Sequence, residues 1–237
     1  MDKQDIREAV WDELEESGEA RFPYPPHGRI PNFNGASDAA DRLSTIGAWQ
    51  DAAVIKSNPD SPQLPVRRAA LRTGKTIYMA VPRLKNEKCF LRLDPDEIDD
   101  INHATTIGGS AEVGVPVSPD EMEPIDLIVS GSVAGSTAGD RIGKGEGYSD
   151  LEFAILRECG LVDDDTTVVS TVHECQVYDD LGGGDAHDVP LDEIVTPERR
   201  IRVESDRSKP TGIAWGLLSK ERIEEIPILK RLQQNST

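Results

Sequence analysis

Basic charge, cysteine, aromatic residues and long apolar runs are all scarce in this chain of 237 residues. Against 44 aspartates and glutamates stand only 26 lysines and arginines, for a net charge of −18. A surface so acidic repels a phosphate backbone unless a basic stripe is segregated on it, which argues against nucleic acid as the main partner. Cys89, Cys159 and Cys175 are odd in number, far apart and without a C-x-x-C pair, which excludes a disulfide framework and a thiolate zinc cluster. No apolar run approaches the ~20 residues needed to span a bilayer. Asp2, Asp5 and Glu8 stand where a secretory signal would be basic and then apolar. These features lead to the expectation of a cytoplasmic protein that does not enter a membrane. Acid runs such as DPDEIDD and VDDDT are dispersed between apolar segments. Dispersal favours a solvated surface adapted to high salt, as in halophiles, over an acidic interaction tail.

The length suits one substantial α/β core spanning residues 1–237. Apolar positions at Ile6, Ala9, Val10 and Leu14 predict a helix over residues 2–17, ended by Gly18. The segment FPYPPHGRIPNFNG, residues 22–35, is too rich in proline and glycine for regular structure and predicts an irregular arm, either lying over a site or strapping the core. A second helix is expected over 36–43 and another over 66–74. Strand patterns fall at 52–56, 76–82, 88–93, 125–134 and 166–172. The stretch 186–201 resembles a short helix followed by a strand, and short helical segments close the chain from Lys220 onward. Strands alternating with helices predict an open, mostly parallel sheet with helices on both faces, and ligands in such sheets sit beyond the carboxyl ends of the strands.

The densest chemistry lies in TAGDRIGKGEGYSDLEFAI, residues 137–155. Gly143, Gly145 and Gly147 let the backbone bring N–H groups close to an anion. Arg141 and Lys144 add positive charge, and a helix starting near Ser149 would aim its N-terminal end at the same place. With a strand at 125–134 upstream, the unit reads as strand, glycine loop, helix. It is neither a G-x-x-x-x-G-K-[ST] loop nor a G-x-G-x-x-G dinucleotide fingerprint. His173 and Glu174 lack the second histidine that a zinc-protease helix requires. His187 and Asp188 form a neighbouring pair near the mouth of a later loop.

Taken in order along the chain, Lys3 and Arg7 four apart on the first helix, RIGKGEGYSD, and ECQVYDD followed by AHDVPLDEIVTP resemble the 5-formyltetrahydrofolate cyclo-ligases, also called methenyltetrahydrofolate synthetases. The segments RIPNFNGA, SNPDSPQLPVRRAAL, VPRL, GSVAGSTAGDRIGKGEGYSDLE and PTGIAWGLLS resemble the branch known as methenyltetrahydrofolate synthetase domain-containing proteins. The resemblance implies the open α/β fold shared with sugar-phosphate isomerases and CoA transferases. It implies a folate substrate, with ATP and Mg²⁺ activating the formyl oxygen of 5-formyltetrahydrofolate by phosphorylation before the N10 amine closes the ring. It also implies residue roles. Arg141 and Lys144 stabilise the transferring phosphate, while Lys3, Arg7, Gly143, Gly145, Glu146, Gly147 and Tyr148 join them in binding the nucleotide or pterin. Asp150 and Asp188 handle magnesium. Two departures stand out: Tyr148 is followed by Ser149 where most members carry a second aromatic residue, and Leu151 follows Asp150 where most carry a basic one. Glu146 puts a negative charge inside the loop, where it either ligates the cation or weakens ATP binding. A non-catalytic nucleotide- or folate-binding protein on the same fold is the competing reading, with a sugar-phosphate isomerase or CoA-transferase type of enzyme behind it.

Overall fold

The computed structural model describes residues 2–205 and 207–235. Its centre is an eight-stranded sheet in the order Arg200–Arg202, Glu193–Val195, Thr167–Thr171, Leu127–Val129, Val54–Ser57, Thr76–Ala80, Phe90–Leu93 and Val115–Val117. The five strands from Glu193–Val195 to Thr76–Ala80 run parallel, and antiparallel strands close both edges. Alternation along each strand sends neighbours to opposite faces. Val54, Tyr78, Ile128, Val168 and Ile194 enter one apolar cluster with Phe153, Ile155 and Leu156 of the helix Tyr148–Glu158. Ile55, Ile77, Leu127, Val169 and Val195 enter the other, with the helices Ala36–Leu43 and Leu64–Arg72. Each fully buried Ile, Leu or Val contributes ~1.5–3 kcal/mol, so the paired clusters hold helices on both faces.

A third cluster sits beside the main sheet. Ile6, Val10, Trp11 and Leu14 of the N-terminal helix, Lys3–Glu16, pack on Val133, Ala134 and Ile142 and on Ile30 and Phe33 of the arm. The helix is started by Asp2, whose carboxylate accepts from the Gln4 and Asp5 N–H groups at 2.8 Å each, in a capping box with Asp5. The arm mainly straps this helix. Trp11 Nε1 donates to the Arg29 carbonyl at 3.0 Å and His27 meets Asp12 at 2.9 Å, while Phe22 and Tyr24 stay exposed.

Two expectations need correction. The apolar run 125–134 is two strands in two sheets: Leu127–Val129 ends within the main sheet, and Ala134–Ser136 belongs to a three-stranded sheet with Val177–Tyr178 and Arg141–Ile142. Ser130, Gly131 and Ser132 make the break, so a hairpin intervenes between the main strand and the glycine loop. Residues 186–201 hold no helix but two strands, because Glu193–Val195 is drawn into the parallel sheet and Arg200–Arg202 turns back along it. The region 95–117 adds two short helices, Ile101–Ala104 and Ile107–Val113, and the edge strand Val115–Val117.

Candidate functional site

A cavity of about 630 Å³ opens beyond the carboxyl ends of the parallel strands. Its walls come from the turn after Val54–Ser57 (Asn58 to Asp60), the turn after Thr76–Ala80 (Val81 to Arg83), Gly131, and the whole run 141–150. The N-terminal helix adds Lys3 and Arg7, and Asp188 closes the side. Every residue assigned to the site from the sequence therefore lines this one cavity.

The loop is built backbone first. Gly145 and Gly147 take φ of 101° and 69°, the left-handed region that a side chain disfavours, and Gly147 is the N-cap of the helix Tyr148–Glu158. Gly143 has a different reason: a β-carbon there would stand 3.1 Å from Arg141 Nη1. Arg7 Nε donates to the Gly143 carbonyl at 2.7 Å, tying the N-terminal helix to the loop.

The charges are paired among themselves. Arg141, only 4% exposed, sends Nη2 to both oxygens of Asp150 at 2.7 Å and Nη1 to the Gly131 carbonyl at 3.1 Å. Burial works against its charge, yet the Asp150 carboxylate outweighs it and raises its pKa. Lys144 meets Glu146 at 2.9 Å on the open side of the loop. Lys3 Nζ reaches Asp188 at 2.6 Å and Asp185 at 3.3 Å, and these carboxylates overcome desolvation to raise the lysine pKa. The Val189 N–H donates to Asp150 Oδ1 at 3.1 Å, so the neighbourhoods of Asp150 and Asp188 meet across the intervening sequence. Asp185, His187 and Asp188 bring one ligand atom each within 4.8 Å of one another, while both oxygens of Asp150 are taken by Arg141. The ring of Tyr148 carries the Arg222 guanidinium at 4.1 Å, and Arg222 also donates to the Tyr148 hydroxyl and the Glu146 carbonyl. One partner of that ring is thus an arginine of the chain itself.

Five further residues line the cavity or support its wall: Asp60, Arg83 and Glu152 line it, and Lys56 and Arg67 stand behind it. Lys56 and Glu152 form a buried ion pair at 2.5 Å, and Lys56 also donates to Asn58 Oδ1 at 3.0 Å. Lysine inside the otherwise apolar run AAVIK was the available signal. Asp60 lies at the cavity floor beside Gly131, partly open to the cavity; burial raises its carboxyl pKa against the pull of Lys144 and Arg67. Buried Arg67, its pKa lowered to about 10 by desolvation, fixes that floor by donating to the carbonyls of Asn58, Pro59, Asp60 and Thr105. Arg83 holds φ of 58° just before buried Leu84, and has no hydrogen-bond or ion-pair partner among the described residues. Burial pushes the thiols of Cys89 up to about 12 and Cys175 up to about 11, so neither is a thiolate near neutrality.

A mostly parallel sheet covered on both faces, with a glycine loop and paired charges lining a cavity at its carboxyl edge, defines an α/β protein with its cavity where such sheets bind ligands. The chain belongs to the 5-formyltetrahydrofolate cyclo-ligase family, whose model matches residues 1–197. It is 43% identical to the methenyltetrahydrofolate synthase domain-containing protein of Bos taurus over 237 residues, covering 98% of this chain and 62% of that protein. To its namesake from Mus musculus the identity is 42% over 238 residues, covering 99% and 64%. The chain thus spans less than two thirds of the length of these relatives. In fold it is similar to the 5,10-methenyltetrahydrofolate synthetase of Aquifex aeolicus, with a TM-score of 0.56 at 20% identity over 88% of this chain and 96% of that one.

Proposed function

We propose that this chain is a ligase that converts 5-formyltetrahydrofolate to 5,10-methenyltetrahydrofolate with ATP and Mg²⁺, releasing ADP and phosphate. The observation that carries this reading is the convergence of Lys3, Arg7, Arg141, the loop 143–147, Asp150 and Asp188 on one cavity wall. In this reading the formyl oxygen forms a bond to the γ-phosphorus as the β–γ bond breaks. N10 then attacks the activated carbon, and the former formyl oxygen leaves with the phosphate. Such transfer asks the protein chiefly to position reactants and offset charge. The loop N–H groups, Lys144 and Arg7 serve the phosphates, with Arg141 holding Asp150 in place. Mg²⁺, held through Asp150 and Asp188, would neutralise the charge developing on the phosphate oxygens. Asp60 and the Glu152–Lys56 pair supply polar groups for the pterin, and Arg83 offers a free cation to the carboxylates of the glutamate tail.

One observation favours a binding protein without turnover: Glu146 neutralises the single lysine of the loop. Purified protein mixed with ATP, Mg²⁺ and 5-formyltetrahydrofolate decides between them, since only the ligase produces the methenyl chromophore. We also read the dispersed acidic surface as that of a cytoplasmic protein working in high salt.

A further inference from the structure

The family model ends at residue 197, yet the glycine loop is held in part by a residue beyond it. Two arginines from opposite ends of the chain take the loop's carbonyls. Arg7 Nε donates to Gly143 at 2.7 Å, and Arg222 Nη2 donates to Glu146 at 3.1 Å. Arg222 also lays its guanidinium 4.1 Å from the centre of the Tyr148 ring and sends Nη1 to the Tyr148 hydroxyl at 3.3 Å. Its own helix, Lys220–Glu225, is anchored on both sides. The Ser219 hydroxyl caps it by accepting from the Arg222 N–H at 3.1 Å, and Ile223 and Ile226 are buried in the main apolar cluster. The helix that follows, Pro227–Asn235, adds buried Ile228 and Leu229 and an ion pair from Arg231 to Asp120 at 2.6 Å. Packed structure thus delivers the guanidinium to the loop. Among the described residues Arg222 forms no ion pair; its partners are a ring, a hydroxyl and a carbonyl.

We propose that Arg222 is a positioning residue for phosphate binding, acting through the Glu146–Gly147 peptide, an inference that rests on the ligase reading. That peptide is trans, so its C=O and N–H point in opposite directions. Gly145 and Gly147 on either side of Glu146 both take positive φ, and residues without a β-carbon leave the peptide few steric limits on its orientation. Arg222 supplies the limit. Engaging the Glu146 carbonyl occupies a partially negative oxygen that would otherwise repel a phosphate, and it sets the direction of the Gly147 N–H. The same contact fixes the entry to the helix Tyr148–Glu158, whose N-cap is Gly147 and whose first N–H groups receive no side-chain cap. A guanidinium suits this work because its planar fork serves carbonyl, hydroxyl and ring face together, which a lysine ammonium does not.

Calorimetric titration of the full chain with inorganic tripolyphosphate and Mg²⁺, paired with the Gly147 amide resonance in heteronuclear spectra, tests the role. In the wild type the Gly147 amide is expected to shift when the probe is added. Arg222→Met is expected to weaken the affinity by about tenfold and to remove most of that shift. Arg222→Lys keeps the charge and is the milder change for folding, yet it is expected to stay about fivefold or more weaker than wild type, because the fork is lost. Lys220→Met removes the same charge from an exposed position on the same helix and is expected to stay within about twofold. Wild-type affinity in Arg222→Met overturns the proposal. Full recovery in Arg222→Lys, or an equal loss in Lys220→Met, overturns it too, since either leaves charge alone as the cause. A Gly147 resonance that does not respond in the wild type also overturns it, while tripolyphosphate binding stands. A wild-type protein that binds no tripolyphosphate is a different failure, that of the ligase reading itself, and the role of Arg222 falls with it.

Discussion

Charge pairing inside the loop makes individual residues testable. Lys144→Ala removes a charge-assisted contact worth about 1.5–3 kcal/mol, so ATP affinity is expected to fall about tenfold or more. Titration calorimetry checks this, with an unchanged melting temperature showing that a half-exposed loop lysine carries little packing. Glu146→Gln separates the two roles left open for that carboxylate. If it only competes for Lys144, the variant binds ATP up to about fivefold more tightly, as expected for an exposed pair worth up to about 1 kcal/mol; weaker binding of Mg·ATP assigns it to the cation instead. Asp60 gives a pH signature. Its raised pKa means that the native state binds this proton more tightly than the unfolded chain. Its contribution to stability is therefore fully present below the ordinary value of 3.8 and is lost as pH rises through the raised native one. Asp60→Asn is expected to melt above wild type near pH 7, by about 2–4 °C for each kcal/mol relieved, and to converge with it in acid. Melting curves that stay parallel across that range would remove the burial argument.

Elements carry the site through a few fixed joints. Lys56 on the Val54–Ser57 strand and Glu152 on the loop helix lock sheet to helix beneath the cavity. Glu152→Gln leaves a buried ammonium without its counter-charge, which costs about 3–5 kcal/mol when one partner of such a pair is removed. Urea unfolding should show most of that loss recovered in Lys56→Met with Glu152→Leu, because an apolar pair of similar volume is often neutral or stabilising. This joint also shows where sequence reading stopped. The N-terminal helix, the helix Ala36–Leu43 and the parallel strands Val54–Ser57, Thr76–Ala80 and Thr167–Thr171 were legible because cap residues and apolar periodicity are local signals. The break at Ser130 to Ser132 was not: 125–134 is apolar or small almost throughout, and only tertiary pairing divides it between two sheets. The loop residues were legible as a group since glycines and charges cluster in one stretch. Lys56, Asp60, Arg67 and Arg83 were not, because each is a single polar residue whose partner, or lack of one, exists only after folding.

At the scale of the whole molecule, a net charge of −18 opposes the compact state through self-repulsion. Raising salt from about 0.1 M to about 1 M shortens the screening length from about 10 Å to about 3 Å, so the melting temperature is expected to rise across that range. A melting temperature that falls with salt would count against the high-salt reading while leaving the fold untouched. The central claim is that two substrates meet over the glycine loop. It is tested most directly by following the absorbance of the methenyl product in a mixture of protein, ATP, Mg²⁺ and 5-formyltetrahydrofolate at molar salt. The account predicts that the chromophore appears only when ATP and Mg²⁺ are both present and survives serine at Cys89, Cys159 and Cys175. Saturable binding of ATP and folate with no chromophore would contradict it.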